Sequence, residues 1–208
     1  MRQDEVTRIY NRNALVYDLM EAPMERLAFG RWRPLLFQEL KGKVLEVGVG
    51  TGKNLPYYPS SVEVVAVDPS PAMLERARRR AQRLGVVVDL RQVDAQRLPF
   101  EDGSFDAVVA SFVFCSVADP VAGLREALRV LRPGGELRLL EHLRPPQPAL
   151  ARVFDWFNPL AVRLTGANIN RRTDENVRAA GFAQVRSRPL DRLGIVRLIM
   201  ARKEDGRG

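Results

Sequence analysis

Glu46-Val47-Gly48-Val49-Gly50-Thr51-Gly52, entered through the apolar pair Val44-Leu45, is the stretch that decides the fold. A strand that turns this sharply into glycines brings backbone N–H groups close to a ligand, because side chains at those positions would block the approach. The spacing is G-x-G-x-G, whereas the dinucleotide fingerprint G-x-G-x-x-G sets its third glycine one residue later. A second apolar run, Val62 to Val67, ends in Asp68, twenty residues past Gly48. An acidic residue at about that distance is where a nucleotide-binding α/β fold holds ribose hydroxyls. Together the two signals point to an adenosine-containing ligand, and the departure from the fingerprint disfavours NAD.

Working outward, short apolar strands alternate with helices. Val86 to Leu90, Ala107 to Ala110 and Glu136 to Leu140 follow as strands three to five. Pro71 suits the first helical position of a helix over 72–83 that Gly85 ends, and a second helix runs over 120–131 into Arg132-Pro133-Gly134-Gly135. Thr173-Asp174-Glu175-Asn176 reads as an N-cap followed by acidic first-turn residues, with Gly181 at the far end. Residues 182–190 and 194–202 supply two closing strands. This alternation predicts an α/β, Rossmann-like fold: a mostly parallel sheet covered by helices on both faces. Upstream, residues 1–40 repeat apolar positions at three- and four-residue spacing, with Pro23 and Pro34 dividing them into two or three helices.

At about 150 residues per domain, 208 residues fit one elaborated domain. No apolar run approaches the roughly 18 residues of a membrane-spanning helix, and the acidic start Met1-Arg2-Gln3-Asp4-Glu5 is unlike a secretory leader. A single cysteine, Cys115, excludes an internal disulfide framework and a cysteine zinc site. A cytoplasmic protein is expected. The net charge of +8, carried mostly by arginine, permits nucleic acid, an anionic membrane or an acidic substrate, although a solvated surface is its ordinary meaning.

Five stretches in order complete the pattern: Leu45 to Gly52, Val67-Asp68-Pro69-Ser70-Pro71-Ala72-Met73-Leu74, Asp94-Ala95-Gln96-Arg97-Leu98-Pro99-Phe100, Phe105-Asp106-Ala107-Val108 and Leu131 to Gly135. Through them the chain resembles the class I S-adenosylmethionine-dependent methyltransferases, in the branch similar to ubiquinone/menaquinone C-methyltransferases and bacterial phosphatidylethanolamine N-methyltransferases. The resemblance implies a seven-stranded sheet with an antiparallel last strand. It also implies S-adenosyl-L-methionine as cofactor, S-adenosyl-L-homocysteine as product, and no metal. Glu46, Gly48 and Gly50 would face the amino-acid end of the cofactor, Asp68 with the following Pro69 the ribose, and Met73 the adenine. Asp94 and Ala95 would meet the adenine amine, while Ser111 and Phe112 would end the fourth strand beside the reacting methyl group. Asn54 would also bind the cofactor, and Tyr17, in Val16-Tyr17-Asp18, belongs to an N-terminal motif that would close over it.

One domain over 1–208 is therefore expected: a helical cap over 1–40, a cofactor-binding core over 41–142, a substrate lid over 143–172, and a closing helix and strands over 173–203. The lid segment carries Phe154, Trp156, Phe157 and Leu160, an apolar density that either covers the acceptor or packs on the sheet. His142, the sole histidine, follows strand five, where an imidazole with an ordinary pKa of about 6.5 suits removal of a proton from the acceptor. Glu141 either orients that ring or turns into packing. The acceptor is expected to be a small, apolar or lipid-like molecule, with peripheral contact to an anionic membrane through Leu27, Phe29, Trp32, Leu36 and Phe37 interleaved with Arg26, Arg31 and Arg33. Nucleic acid is disfavoured as acceptor, because Ser111-Phe112-Val113-Phe114 lacks the Asn/Asp-Pro-Pro-aromatic sequence and no proline precedes Cys115. A non-catalytic nucleotide-binding regulator is the alternative from another class. The sequence leaves the oligomeric state open.

Overall fold

The computed structural model describes residues 2–12, 25 and 29–205. A seven-stranded sheet runs in the order β3-β2-β1-β4-β5-β7-β6, formed by β1 (Gly42–Val47), β2 (Val62–Asp68), β3 (Asp89–Gln92), β4 (Phe105–Ser111), β5 (Leu131–His142), β6 (Ala183–Pro189) and β7 (Val196–Arg202). Strands β1 to β5 pair in parallel, and β7 inserts between β5 and β6 antiparallel to both. The chain reverses its direction of winding between β1 and β4, which opens a crevice at the carboxyl ends of those two strands.

Alternating residues of the central strands are buried on opposite faces, as a parallel sheet requires. One face, with Leu45, Val67, Val108 and Leu139, packs against α3 (Pro120–Val130) and α5 (Thr173–Ala179) through Leu124, Ala127 and Val177. On the other, Val64 and Ala66 meet Leu74 and Ala77 of α2 (Pro71–Leu84). Beside them Val44, Val109 and Leu140 meet Trp32, Leu36 and Phe37 from two short 3-10 turns, Phe29–Arg31 and Arg33–Leu36. Helix α1 covers residues 3–12 and α4 spans Pro148–Thr165.

Several expectations shift. The third strand begins at Asp89, not Val86. The cap of α2 takes up the intervening residues: Gly85 adopts φ 66° and the Val86 N–H reaches back to the Ala81 carbonyl at 3.0 Å. Thr173 does not cap α5. It lies inside the first turn, its buried hydroxyl without a hydrogen-bond partner, and Arg172 holds the cap position. β5 starts at Leu131, so the Pro133-Gly134-Gly135 turn is an irregularity within the strand, between the pairs Phe105–Leu131 and Ala107–Glu136. The face of residues 29–37 expected to meet a membrane is largely interior: Trp32, Arg33, Leu36 and Phe37 are buried. Leu27 and Arg26 lie outside the described residues.

Candidate active site

The crevice is a cleft whose walls follow the sheet topology. The end of β1 contributes Gly48 to Thr51, the end of β2 Asp68 to Ser70, the segment after β3 Val93 to Ala95, and the end of β4 Ser111 to Val113 with Ser116 and Val117. Helix α1 closes one side with Gln3, Val6, Thr7 and Tyr10, tied down where the Tyr10 and Ser116 hydroxyls meet at 2.8 Å and where Ser70 Oγ donates to Asn11 Oδ1 at 2.5 Å.

Two glycines explain the motif physically. Gly48 has φ 69°, and a Cβ there would stand 2.4 Å from the Val113 side chain. Gly50 has φ 54°, and a Cβ there would meet nothing within 4 Å, since the space beyond it is the cleft. The first glycine lets two loops close; the second leaves room for a ligand against bare backbone.

Asp68 sits between these loops. Its Oδ2 accepts the Gly50 N–H and its Oδ1 the Ser70 N–H, each at 2.9 Å. A carboxylate offers about four lone-pair sites, so two remain for vicinal hydroxyls. Burial pushes its pKa up to about 6, against the opposing pull of the two amides. Gly50, Asp68 and the adjacent Met73, Asp94 and Ala95 thus fit an adenosine, with a carboxylate at the ribose position and open space over the glycine backbone.

The far end of the cleft holds a buried polar network. Arg33 is 4% exposed; its Nε and Nη2 donate to the Glu25 carboxylate at 2.6 and 2.9 Å, and its Nη1 donates to Asn54 Oδ1 and Ser111 Oγ at 2.8 Å each. Asn54 Nδ2 in turn donates to Glu46 Oε1 at 2.8 Å, while the Tyr58 hydroxyl donates to Glu46 Oε2. Burial raises the pKa of Glu46 above its ordinary value, opposed by Tyr58, Asn54 and the Arg33 charge. The network presents one fixed cation, Arg33, at the cleft wall.

Of the expected site residues, Gly48, Gly50, Asp68, Pro69, Met73, Asp94, Ala95, Ser111 and Phe112 line the cleft together. Glu46 and Asn54 do not; they stand one layer behind and reach it through Arg33 and Ser111. Tyr17 lies outside the described residues. His142 does not line the cleft either. Its ring stacks beside Phe112, with centroids 6.3 Å apart and planes 19° apart, and Nε2 lies 3.2 Å from the Asn168 carbonyl. A carbonyl only accepts, so in that bond Nε2 is the donor. Glu141 turns into packing: its Oε1 accepts the Val113 and Phe114 N–H groups at 2.8 and 2.9 Å, and burial pushes its pKa to about 7. Between these groups Phe112 adopts φ 57°, a strained conformation for an aromatic residue, at the point where β4 enters the site.

Sequence reasoning missed Arg33 and the α1 wall. Arg33 is a lone charge within Trp32-Arg33-Pro34-Leu35-Leu36, which marks a cation inserted in an apolar segment, but charge alone reads as surface. Gln3, Val6, Thr7 and Tyr10 share one helical face, yet half of them are polar, so hydrophobic periodicity does not single them out.

Comparison with known proteins agrees with this geometry. Residues 45–139 match the family described as "Methyltransferase domain". The chain is 40% identical over 160 residues to a phosphatidylethanolamine N-methyltransferase of Cereibacter sphaeroides, an alignment covering 74% of this chain and 75% of that protein. It is 35% identical over 224 residues to a demethylmenaquinone methyltransferase of Clavibacter sepedonicus, covering 98% and 89%. Among solved structures, a SAM-dependent methyltransferase from Thermotoga maritima superposes with a TM-score of 0.71 at 26% identity, covering 96% of this chain and 100% of that one. A buried carboxylate at the end of β2, an open glycine turn after β1 and relatives matched over most of their length converge: the chain belongs to the S-adenosylmethionine-dependent methyltransferases, similar in sequence to the demethylmenaquinone and phosphatidylethanolamine enzymes.

Proposed function

We propose that this methyltransferase acts on a small, largely apolar acceptor of the lipid or quinone class, by in-line displacement. The observation that carries the reading is the composition of the wall around the end of β4. Phe112, Val113, Val117 and Val6 give it an apolar surface, beside which stand the polar groups Ser111, Ser116 and Arg33 and, on α1, Gln3, Thr7 and Tyr10. Relatives named for phosphatidylethanolamine and demethylmenaquinone support the same class.

When bound, the cofactor supplies an electrophilic methyl on a sulfonium. The residues of this chain supply position and exclusion of water. Asp68 would accept the ribose hydroxyls, Asp94 and Ala95 would bound the adenine, and Arg33 would pair with the cofactor's carboxylate. Holding donor and acceptor in line can contribute up to about 7–11 kcal/mol in well-oriented systems, so a short list of catalytic side chains suffices. Phe112 and Val113 keep water from the transfer point. Where the acceptor retains a proton, His142, whose ring stacks beside Phe112, would be the base.

Transfer of labelled methyl from S-adenosylmethionine, run in parallel on a lipid extract and a polar extract, tests the proposal. Label confined to the lipid fraction is the expected result; label confined to the polar fraction refutes it.

A further inference from the structure

Helix α4 was the segment expected either to pack on the sheet or to wall the acceptor. Ala151 is its one buried residue, and none of its side chains lines the cleft. Instead Val153, Trp156, Phe157, Leu160 and Leu164 recur at helical spacing along a single stripe, and all five are exposed, Trp156 by 76%. Trp156 and Phe157 pack edge to face, with centroids 4.6 Å apart. The stripe is the largest run of solvent-facing apolar side chains among the described residues.

The charges on α4 are arranged with it. Arg152 and Arg163, three turns apart, lie along one flank of the stripe and are exposed. The helix's single carboxylate, Asp155, is drawn off by Arg144, whose Nη2 donates to it at 2.6 Å. An apolar stripe of Trp, Phe and Leu edged by arginine alone is complementary to an anionic lipid surface. A second copy of this chain would bring arginine against arginine there with no carboxylate between them. The helix also adjoins the site: a Cβ on its terminal Gly166 would lie 3.6 Å from the side chains of Val6 and Tyr10, both of which line the cleft.

From this geometry we propose that α4 is a membrane-inserting helix, lying in the interface of an anionic bilayer with Trp156 and Phe157 buried among the lipids and the α1 side of the cleft facing the membrane. No helix among the described residues is long and apolar enough to cross a membrane, so the contact is peripheral. The inference rests on the reading of an apolar acceptor, which it extends by giving that acceptor a route from the bilayer.

The test is co-sedimentation of the full chain with vesicles of phosphatidylcholine alone and of phosphatidylcholine with phosphatidylglycerol. The wild type should sediment with the anionic vesicles and be released by salt, with tryptophan emission shifting to the blue. The double variant Trp156→Ser/Phe157→Ser should bind at least about tenfold more weakly. Arg152→Glu/Arg163→Glu should lose the preference for phosphatidylglycerol. These side chains are exposed, and unchanged melting and unchanged S-adenosylhomocysteine affinity verify that the variants are folded. No sedimentation of the wild type, equal binding of wild type and double variant, or a wild-type dimer that the double variant breaks would each overturn the proposal. Labelled transfer into a detergent-dispersed lipid extract separates the two readings: its absence with vesicle binding intact removes the acceptor assignment and leaves the membrane contact standing.

Discussion

Asp68 is the ribose ligand of the proposed function, and its removal has a calculable effect. In the free protein its carboxyl group has a pKa of about 6, and its oxygens already hold the Gly50 and Ser70 amides. Two ribose hydroxyls would add hydrogen bonds to a charged acceptor, each contributing roughly 1.5–3 kcal/mol. Asp68→Ala should therefore weaken binding of S-adenosylhomocysteine by at least about 100-fold. Water entering the open cleft can meet the two released amides, so the fold should persist. The pH dependence follows with a definite sign. Binding favours the ionised form, and at pH 5 only about a tenth of a group with this pKa is ionised. The wild-type dissociation constant should rise about tenfold between pH 7.5 and pH 5, with most of one proton released per ligand at pH 5 and almost none at pH 8. Asp68→Asn should lose this component and keep only what Glu46 contributes. Isothermal titration calorimetry in buffers of differing ionisation enthalpy measures both quantities. A flat wild-type profile, or an Asp68→Ala constant within a few-fold of wild type, would show that the carboxylate does not face the ribose.

Glu141 is buried with its pKa raised to about 7, so the folded state binds its proton more tightly than the unfolded chain does. Its stability contribution is complete below the ordinary carboxylate range and is lost as pH rises through about 7, at a cost of order 3 kcal/mol. Glu141→Gln keeps an oxygen for the Val113 and Phe114 amides, so urea unfolding should show the variant gaining on wild type between pH 5 and pH 8. An identical slope in both would refute the assignment. Arg33→Leu strands the Glu25 carboxylate beside a buried network and should cost about 3 kcal/mol in the same assay, as well as weakening cofactor binding; a change under about 1 kcal/mol would mean that the network is solvated. His142→Ala should leave cofactor affinity unchanged and lower kcat by about 100-fold or more if the ring accepts a proton. A change of only a few-fold would restrict its role to packing on Phe112.

Strand and helix order, the glycine turn and the carboxylate after β2 follow from local sequence, because each is enforced within a few residues. The apolar run Val64 to Val67 fits an interior strand, Ser70 and Pro71 start the helix that follows, and Asp68 is carried to the crevice by the strand it ends. Nine of the expected site residues line one cleft for that reason: each lies at or near the carboxyl end of a strand, and the sheet brings those ends level. What depended on tertiary packing was the environment of groups whose partners are distant in the chain. Arg33 reads as one more surface arginine until Glu25, Asn54 and Ser111 surround it. Glu46 and Asn54 move from the lining to a supporting layer because Arg33 stands in front of them. Helices α1 and α4 show the same limit from opposite sides. The mixed polar face of α1 becomes a cleft wall, while the apolar face of α4, which hydrophobic patterning would bury, is turned to the outside. Periodicity identifies an apolar face; which surface that face meets is set by the elements that have already occupied the core.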